Sequence, residues 1–176
     1  DSFNYDNCPG HPIWMEPDEW LGAKDKNYPL HLVSNQPKTK LHSQMDNGVL
    51  SSSIKIKGHQ PLEMNPFDAK ARGITEGDIV RVFNGRGVCL CGVNITNDVM
   101  PGVVIISTGS WYDPVDPADP KSMCKHGNPN VLSPDIGTSK LGQGPAAHSC
   151  LAEIELYDGP VQKITAFDPP EIIKKK

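Results

Sequence analysis

No apolar run in this 176-residue chain approaches the roughly 20 residues a bilayer-spanning helix needs, so membrane insertion is not expected. A basic stripe is missing too. The net charge is −4 and the lysines are scattered, which argues against a nucleic-acid surface. Lys174-Lys175-Lys176 reads as a solvated tail. There is no C-x-x-C pair, which excludes a zinc ribbon, and no G-x-x-x-x-G-K-[ST] phosphate loop. Asp113, Asp116 and Asp119 lack EF-hand spacing and alternate with prolines, so they are expected to decorate an extended loop. The chain shows no signal peptide and opens on Asp1 without an initiator Met, which reads as a fragment or a processed product.

What is present is turn-rich. Seventeen prolines and sixteen glycines fit a strand-and-turn architecture, and the length suffices for one domain with an adequate core. The five cysteines are odd in number and irregular in spacing. Cys89 and Cys91 point to one face of a strand and read as buried apolar thiols. Cys124-x-His126 is expected on a surface loop, because a metal would need further ligands from elsewhere.

The pattern divides the chain into an arm (1–27), a barrel (28–160) and a tail (161–176). In the arm, Glu16-Pro-Asp-Glu-Trp20 is expected to start a short helix with Pro17 at its first position. Leu30, Leu32 and Val33 predict a strand, and Ser53-Ile-Lys-Ile-Lys57 alternates like a half-exposed one. Residues 65–73 predict a helix with Asn65 as N-cap, Pro66 at N1 and Gly73 as its stop. Strands follow at 79–83, 88–95, 103–106 and 151–156, with a hairpin turn at Asn84-Gly85-Arg86-Gly87. Such short strands around one small helix predict a mainly β fold, a compact β-barrel with Greek-key-like crossings. Residues 107–150 are long polar loops, the sort of stretch that is functional or docked on a partner.

The first strand leads on to His42-Ser43-Gln44, expected at the far end of the buried strand. The triplet offers imidazole, hydroxyl and amide groups, both donors and acceptors, but no nucleophile–base set. It points to binding more than to catalysis. Gly142-x-Gly144-x-x-Ala147 formally matches the dinucleotide fingerprint. However, it follows a turn, and Pro145 would disrupt the helix it must open. Gly137-Thr-Ser-Lys140 is expected to contact a ligand or a neighbouring loop. A single Gly109-Ser110 is not enough to indicate self-cleavage to a pyruvoyl group.

Several blocks together resemble the C-terminal domain of the bis-molybdopterin guanine dinucleotide reductases, in the branch of dimethyl sulfoxide, trimethylamine N-oxide and biotin sulfoxide reductases. They are Cys8-Pro-Gly-His-Pro12, Glu19-Trp-Leu-Gly22, Pro29-Leu-His-Leu32, Lys40-Leu-His-Ser-Gln44, Asp68-Ala-Lys-Ala-Arg-Gly73, Gly77-Asp-Ile-Val-Arg-Val82, Trp111-Tyr-Asp-Pro114 and Asn130 to Leu141. They run in family order along nearly the whole chain.

The resemblance implies a double-psi β-barrel that caps a larger enzyme and grips a bis-molybdopterin guanine dinucleotide carrying Mo or W. It places Ser34, Asn35, Gln36, His42, Ser43, Gln44, Asn130, Ala147 and His148 against that cofactor. It also implies a small S-oxide or N-oxide substrate, the remaining domains of the same chain as partners, and a bacterial periplasmic location. The metal ligand would come from an earlier domain, so no catalytic residue is expected here. The sequence departs from the family where Lys40 stands in place of an Arg, losing a bidentate fork for phosphate. Ser34-Asn35-Gln36-Pro37 and Gln143 to His148 depart as well. A free-standing barrel acting as a protein-interaction module is the alternative.

Overall fold

The computed structural model describes residues 4–170, 172 and 173, so the lysine tail lies outside the described residues. Short apolar segments, some alternating in burial and β4 buried almost throughout, build six strands: β1 (Leu30–Val33), β2 (Pro61–Met64), β3 (Ile79–Phe83), β4 (Val88–Ile95), β5 (Val103–Ile106) and β6 (Leu151–Leu156). They close in the order β1-β5-β2-β4-β3-β6. β1 with β5 and β2 with β4 are parallel, and the remaining pairs are antiparallel. Only β3 and β4 are neighbours both in the chain and in the barrel. This closed mainly β barrel with crossing connections is a double-psi β-barrel.

The barrel is filled by Leu30, Leu32, Leu62, Met64, Val80, Val82, Val93, Val104, Ile106 and Ile154, each at most 2% exposed. Burial of each such side chain contributes about 1.5–3 kcal/mol. Cys89, Cys91, Cys124 and Cys150 join this core as free thiols. Cys124 and His126 are fully buried, so the expected surface loop is corrected. Asp113 is buried as well, and only Asp116 and Asp119 are exposed loop residues.

Two short helices flank the barrel, α1 (Val49–Ser53) and α2 (Pro66–Ala71). Asn65 caps α2 as expected, its Oδ1 accepting from the Phe67 N–H at 2.9 Å. The strand expected at 53–57 is not there. Its Ile-Lys alternation belongs to a tight turn in which Ile56 and His59 exchange backbone hydrogen bonds at 3.0 and 2.9 Å. Lys57 (φ 50°) and Gly58 (φ 85°) form its corner, as a two-residue hairpin turn requires. The strand lies further on, at β2, where Pro61 occupies the first position and costs no interior ladder bond. The expected helix at 16–20 is irregular backbone.

That arm is tied down by charge and main-chain bonds. The Glu19 carboxylate takes both Arg86 Nη atoms, at 2.6 and 2.9 Å, and the Leu151 N–H at 2.7 Å. Bidentate Arg–carboxylate pairing adds geometric specificity to the attraction. The arm is thereby fixed at the entrance to β6.

Candidate ligand cavity

β1 and β5 run parallel, so their C-terminal ends deliver two loops to the same end of the barrel. The loops are bonded together. Thr108 N–H donates to the Asn35 carbonyl at 2.9 Å, and the Ser107 hydroxyl donates to Asn35 Oδ1 at 2.7 Å. A third segment joins them. Ser34 N–H donates to His148 Nδ1 at 3.3 Å, and His31 Nε2 donates to the His148 carbonyl at 2.6 Å. Ser34, Asn35 and His148 are thus one cluster.

His42-Ser43-Gln44 is not at the end of β1. It lies eight or more residues beyond, in a turn closed by the Gln44 N–H to Leu41 carbonyl bond at 2.9 Å. His42 (φ 50°) and Met45 (φ 65°) hold left-handed backbone there, a conformation that costs energy for side chains of this size. Long-range contacts hold the turn in place. Trp111 Nε1–H donates to the Ser43 carbonyl at 2.7 Å. Gly109 (φ 94°) lies so close beneath His42 that a Cβ would collide with the His42 carbonyl oxygen.

Between these elements is a cavity of about 430 Å³ lined by His42, Ser43, Asn130, Asn128 and the Thr108–Tyr112 loop. The lining side chains are nearly all neutral donors or acceptors. Asn130 reaches it from a single 3-10 turn (Pro129–Val131) started by Asn128 Oδ1 accepting the Asn130 N–H at 2.9 Å.

The remaining expected site residues stand apart from this cavity. Gln36 uses its amide to hold the Lys40 carbonyl at 2.8 Å. Gln44 is exposed and does not line the cavity, and Ala147 is half-buried in the turn before Ser149. Gly137 to Lys140 contact a neighbouring loop, with Thr138 N–H donating to the Gly144 carbonyl at 2.7 Å.

Behind the Ser110–Trp111 wall is a charged cluster that sequence reasoning missed. Asp46 is fully buried and pairs with Lys40 at 2.6 Å and Lys55 at 2.9 Å. Its second oxygen accepts the Trp111 N–H at 3.0 Å. Burial alone would push the Asp46 carboxyl up, but Lys40, the Trp111 amide and Lys55 together hold it below its ordinary value. Lys40 also donates to Gln60 Oε1 at 3.0 Å, which accepts the Ser110 hydroxyl at 2.8 Å. Lys40 is therefore an interior ion-pair partner, not a surface phosphate ligand. Lysine suits this point-charge role, so the missing Arg fork costs nothing there.

Two lysines against one carboxylate leave a surplus positive charge next to the cavity wall. Deleting a member of such a buried cluster costs about 3–5 kcal/mol, because the others lose their compensation. His126 adds no charge. Burial, with the Lys55 ammonium, lowers it to about 4, and its Nδ1–H donates to the Trp111 carbonyl at 3.0 Å. Lys40, Asp46 and Gln60 are widely spaced in sequence and look like ordinary surface residues, which left no signal beyond the Lys40 block. Among the described residues, no group of three or more His, Cys, Asp and Glu could hold a metal ion.

Known proteins share this architecture. The family model described as "Molydopterin dinucleotide binding domain" matches residues 30–151. The dimethyl sulfoxide/trimethylamine N-oxide reductase of Cereibacter sphaeroides is 47% identical over 171 residues, which is 97% of this chain and 21% of the relative. Trimethylamine-N-oxide reductase 1 of Escherichia coli K12 is 48% identical over 165 residues, covering 92% and 20%. The chain thus spans about a fifth of the length of these relatives. Acetylene hydratase from Pelobacter acetylenicus shares the fold, with a TM-score of 0.65 and 18% identity over 83% of this chain and 21% of that one. These matches do not support the free-standing interaction module. The barrel, its crossed connections and the polar cavity at the loop ends belong with the sequence match, and the chain is a member of the molybdopterin dinucleotide binding domain family.

Proposed function

We propose that this chain grips bis-molybdopterin guanine dinucleotide, carrying molybdenum or tungsten, within a larger oxidoreductase that reduces S-oxides or N-oxides by oxygen-atom transfer. The observation that carries the reading is the cavity at His42, Ser43 and Asn130, neutral and polar in lining, with a surplus cation behind its wall. Such a site suits a large, anionic, heteroatom-rich ligand. Diphosphate oxygens gain from donors and from a nearby fixed cation, and heterocycle edges need groups that both donate and accept. Gly109 lets the Thr108–Tyr112 loop pack directly on the His42 carbonyl, which sets the shape of the cavity wall.

In this reading His42, Ser43 and Asn130, which line the cavity, hold one part of the cofactor, and the exposed Gln44 beside them meets the part that projects from it. Ser34, Asn35, Gln36, Ala147 and His148 hold another from the end of β1 and the turn before β6. When bound, the metal cofactor supplies the two-electron oxygen-atom chemistry. The residues of this chain orient it and exclude water, and none of them is a catalytic residue. The reductase names of the similar proteins favour S-oxide and N-oxide substrates.

The arm (1–27), barrel (28–160) and tail (161–176) form one unit resting on the remaining domains of the enzyme. Val49 and Leu50 on α1, 86% and 69% exposed, are apolar surface suited to such a contact. A periplasmic location belongs to the proposal on the family resemblance alone.

The test is chemical. Acid-denatured full-length enzyme is expected to release guanine nucleotide together with molybdenum or tungsten, read by mass spectrometry and elemental analysis. Release of neither from freshly purified, active enzyme overturns the proposal.

A further inference from the structure

Residues beyond β6 return across the molecule to a buried carboxylate. Asp113, 5% exposed, accepts the Thr165 N–H at 2.6 Å, the Thr165 hydroxyl at 2.7 Å and the Ala166 N–H at 3.0 Å. Lys125 stands 3.4 Å from the same carboxylate and donates to the Thr165 hydroxyl at 2.9 Å. Three donors converging on one buried carboxylate make a dedicated socket, since charge-assisted bonds of this kind are about twice as strong as neutral ones.

The socket sets the position of the next residue. The Phe167 ring lies edge-on to Trp111, centroids 5.2 Å apart, and edge-on to His126 at 5.0 Å. The Lys55 ammonium stands 5.7 Å from the Phe167 centroid. Trp111 lines the ligand cavity and holds the Ser43 carbonyl through its indole N–H. His126 in turn holds the Trp111 carbonyl.

We propose that Thr165–Phe167 is a strap that fixes Trp111 in the cavity wall and so slows departure of the bound ligand. Asp113 is its positioning residue. Without Phe167, Trp111 loses an aromatic neighbour and can swing on its backbone. The Ser43 carbonyl then loses its donor, and the strained His42 turn is free to relax. The strap rests on the dinucleotide reading only for the identity of what is retained.

The experiment uses full-length, cofactor-loaded enzyme. Cofactor remaining on the protein after timed gel filtration is quantified as acid-released guanine nucleotide. Phe167→Ala is expected to lose cofactor about tenfold faster than wild type, the factor that about 1.4 kcal/mol sets. Thr165→Val, which removes one of the three donors, should fall between them. Lys163→Ala, which breaks only the exposed Lys163–Asp168 pair, should match wild type. A second readout needs no ligand. In cofactor-free enzyme, amides of residues 41–46 and 107–112 should exchange hydrogen faster in Phe167→Ala and in Thr165→Val. Wild-type exchange and retention in both variants overturn the strap. A wild-type enzyme without guanine nucleotide overturns the dinucleotide reading instead, and the exchange arm still decides the strap.

Discussion

The His126 side chain stands between the charge cluster and the cavity wall, 3.9 Å from the Asp46 carboxylate and bonded to the Trp111 carbonyl. It is fully buried, bonded through Nδ1, and its Nε2 has no hydrogen-bond partner among the described residues. Burial first, and then the Lys55 ammonium, disfavour its protonated form and lower its pKa from 6.5 to about 4. The unfolded chain therefore takes up the proton first as pH falls. Stability should decline from about pH 6.5 to about pH 4, by about 3 kcal/mol in total. His59, also lowered by burial, adds in the same direction. Asp46 and Asp113 act in a separate window. Their folded values lie below 3.8, so their contribution is complete above that value and is lost as pH falls through the lower folded ones. Urea midpoints measured across pH 7 to 4 test the histidine effect. His126→Phe should flatten much of the slope, and an unchanged slope would assign the titration elsewhere.

At the scale of elements, legibility followed locality. The α2 cap was readable because Asn65, Pro66 and Gly73 act on their own backbone within one helix. Asn65 does more than its sequence position tells. Its Nδ2 donates to the Val99 carbonyl at 2.7 Å, joining α2 to the loop before β5. Asn65→Ala should therefore cost about 1–2 kcal/mol, at the upper end for a cap, with Asn65→Asp recovering only the cap part. Chemical denaturation of the two variants checks this. The turn at 53–59 was misread for a complementary reason. Alternation of Ile and Lys looks the same in a strand and in a tight turn, and the difference lies in where Ile56 packs. It sits on Gly92 of β4, which has no Cβ to oppose it. That partner is 36 residues away and invisible to a local pattern. His42, Ser43 and Asn130 are nameable from sequence as polar candidates, yet only the fold brings them to one cavity.

At the scale of the whole molecule, the polar stretch from 107 to 150 is loop without being loose. It carries the cavity wall, the Asp113 socket and the buried Cys124–His126 pair, all anchored to the barrel by main-chain bonds such as Leu90 N–H to the Cys124 carbonyl at 2.9 Å. The barrel is legible in the strand pattern and its double-psi type in the family resemblance, and the polar triplet in its own side-chain types. The internal electrostatics were not legible, because an ion pair such as Lys40–Asp46 shows itself only when its surroundings exclude water.

The order of strands in the closed barrel also governs how the protein can be made. β6, the last strand among the described residues, pairs with both β1 and β3 and so closes the barrel. Until it emerges from the ribosome, both of those edges lie open and the arm has no Leu151 amide for Glu19 to hold. A chain ending at Ser149 should show no cooperative unfolding transition, as followed by circular dichroism; retention of one would mean the five-stranded sheet is self-sufficient. The cavity walls at His42, Trp111 and Asn130 therefore rest on a closed barrel only once β6 has paired with both edges.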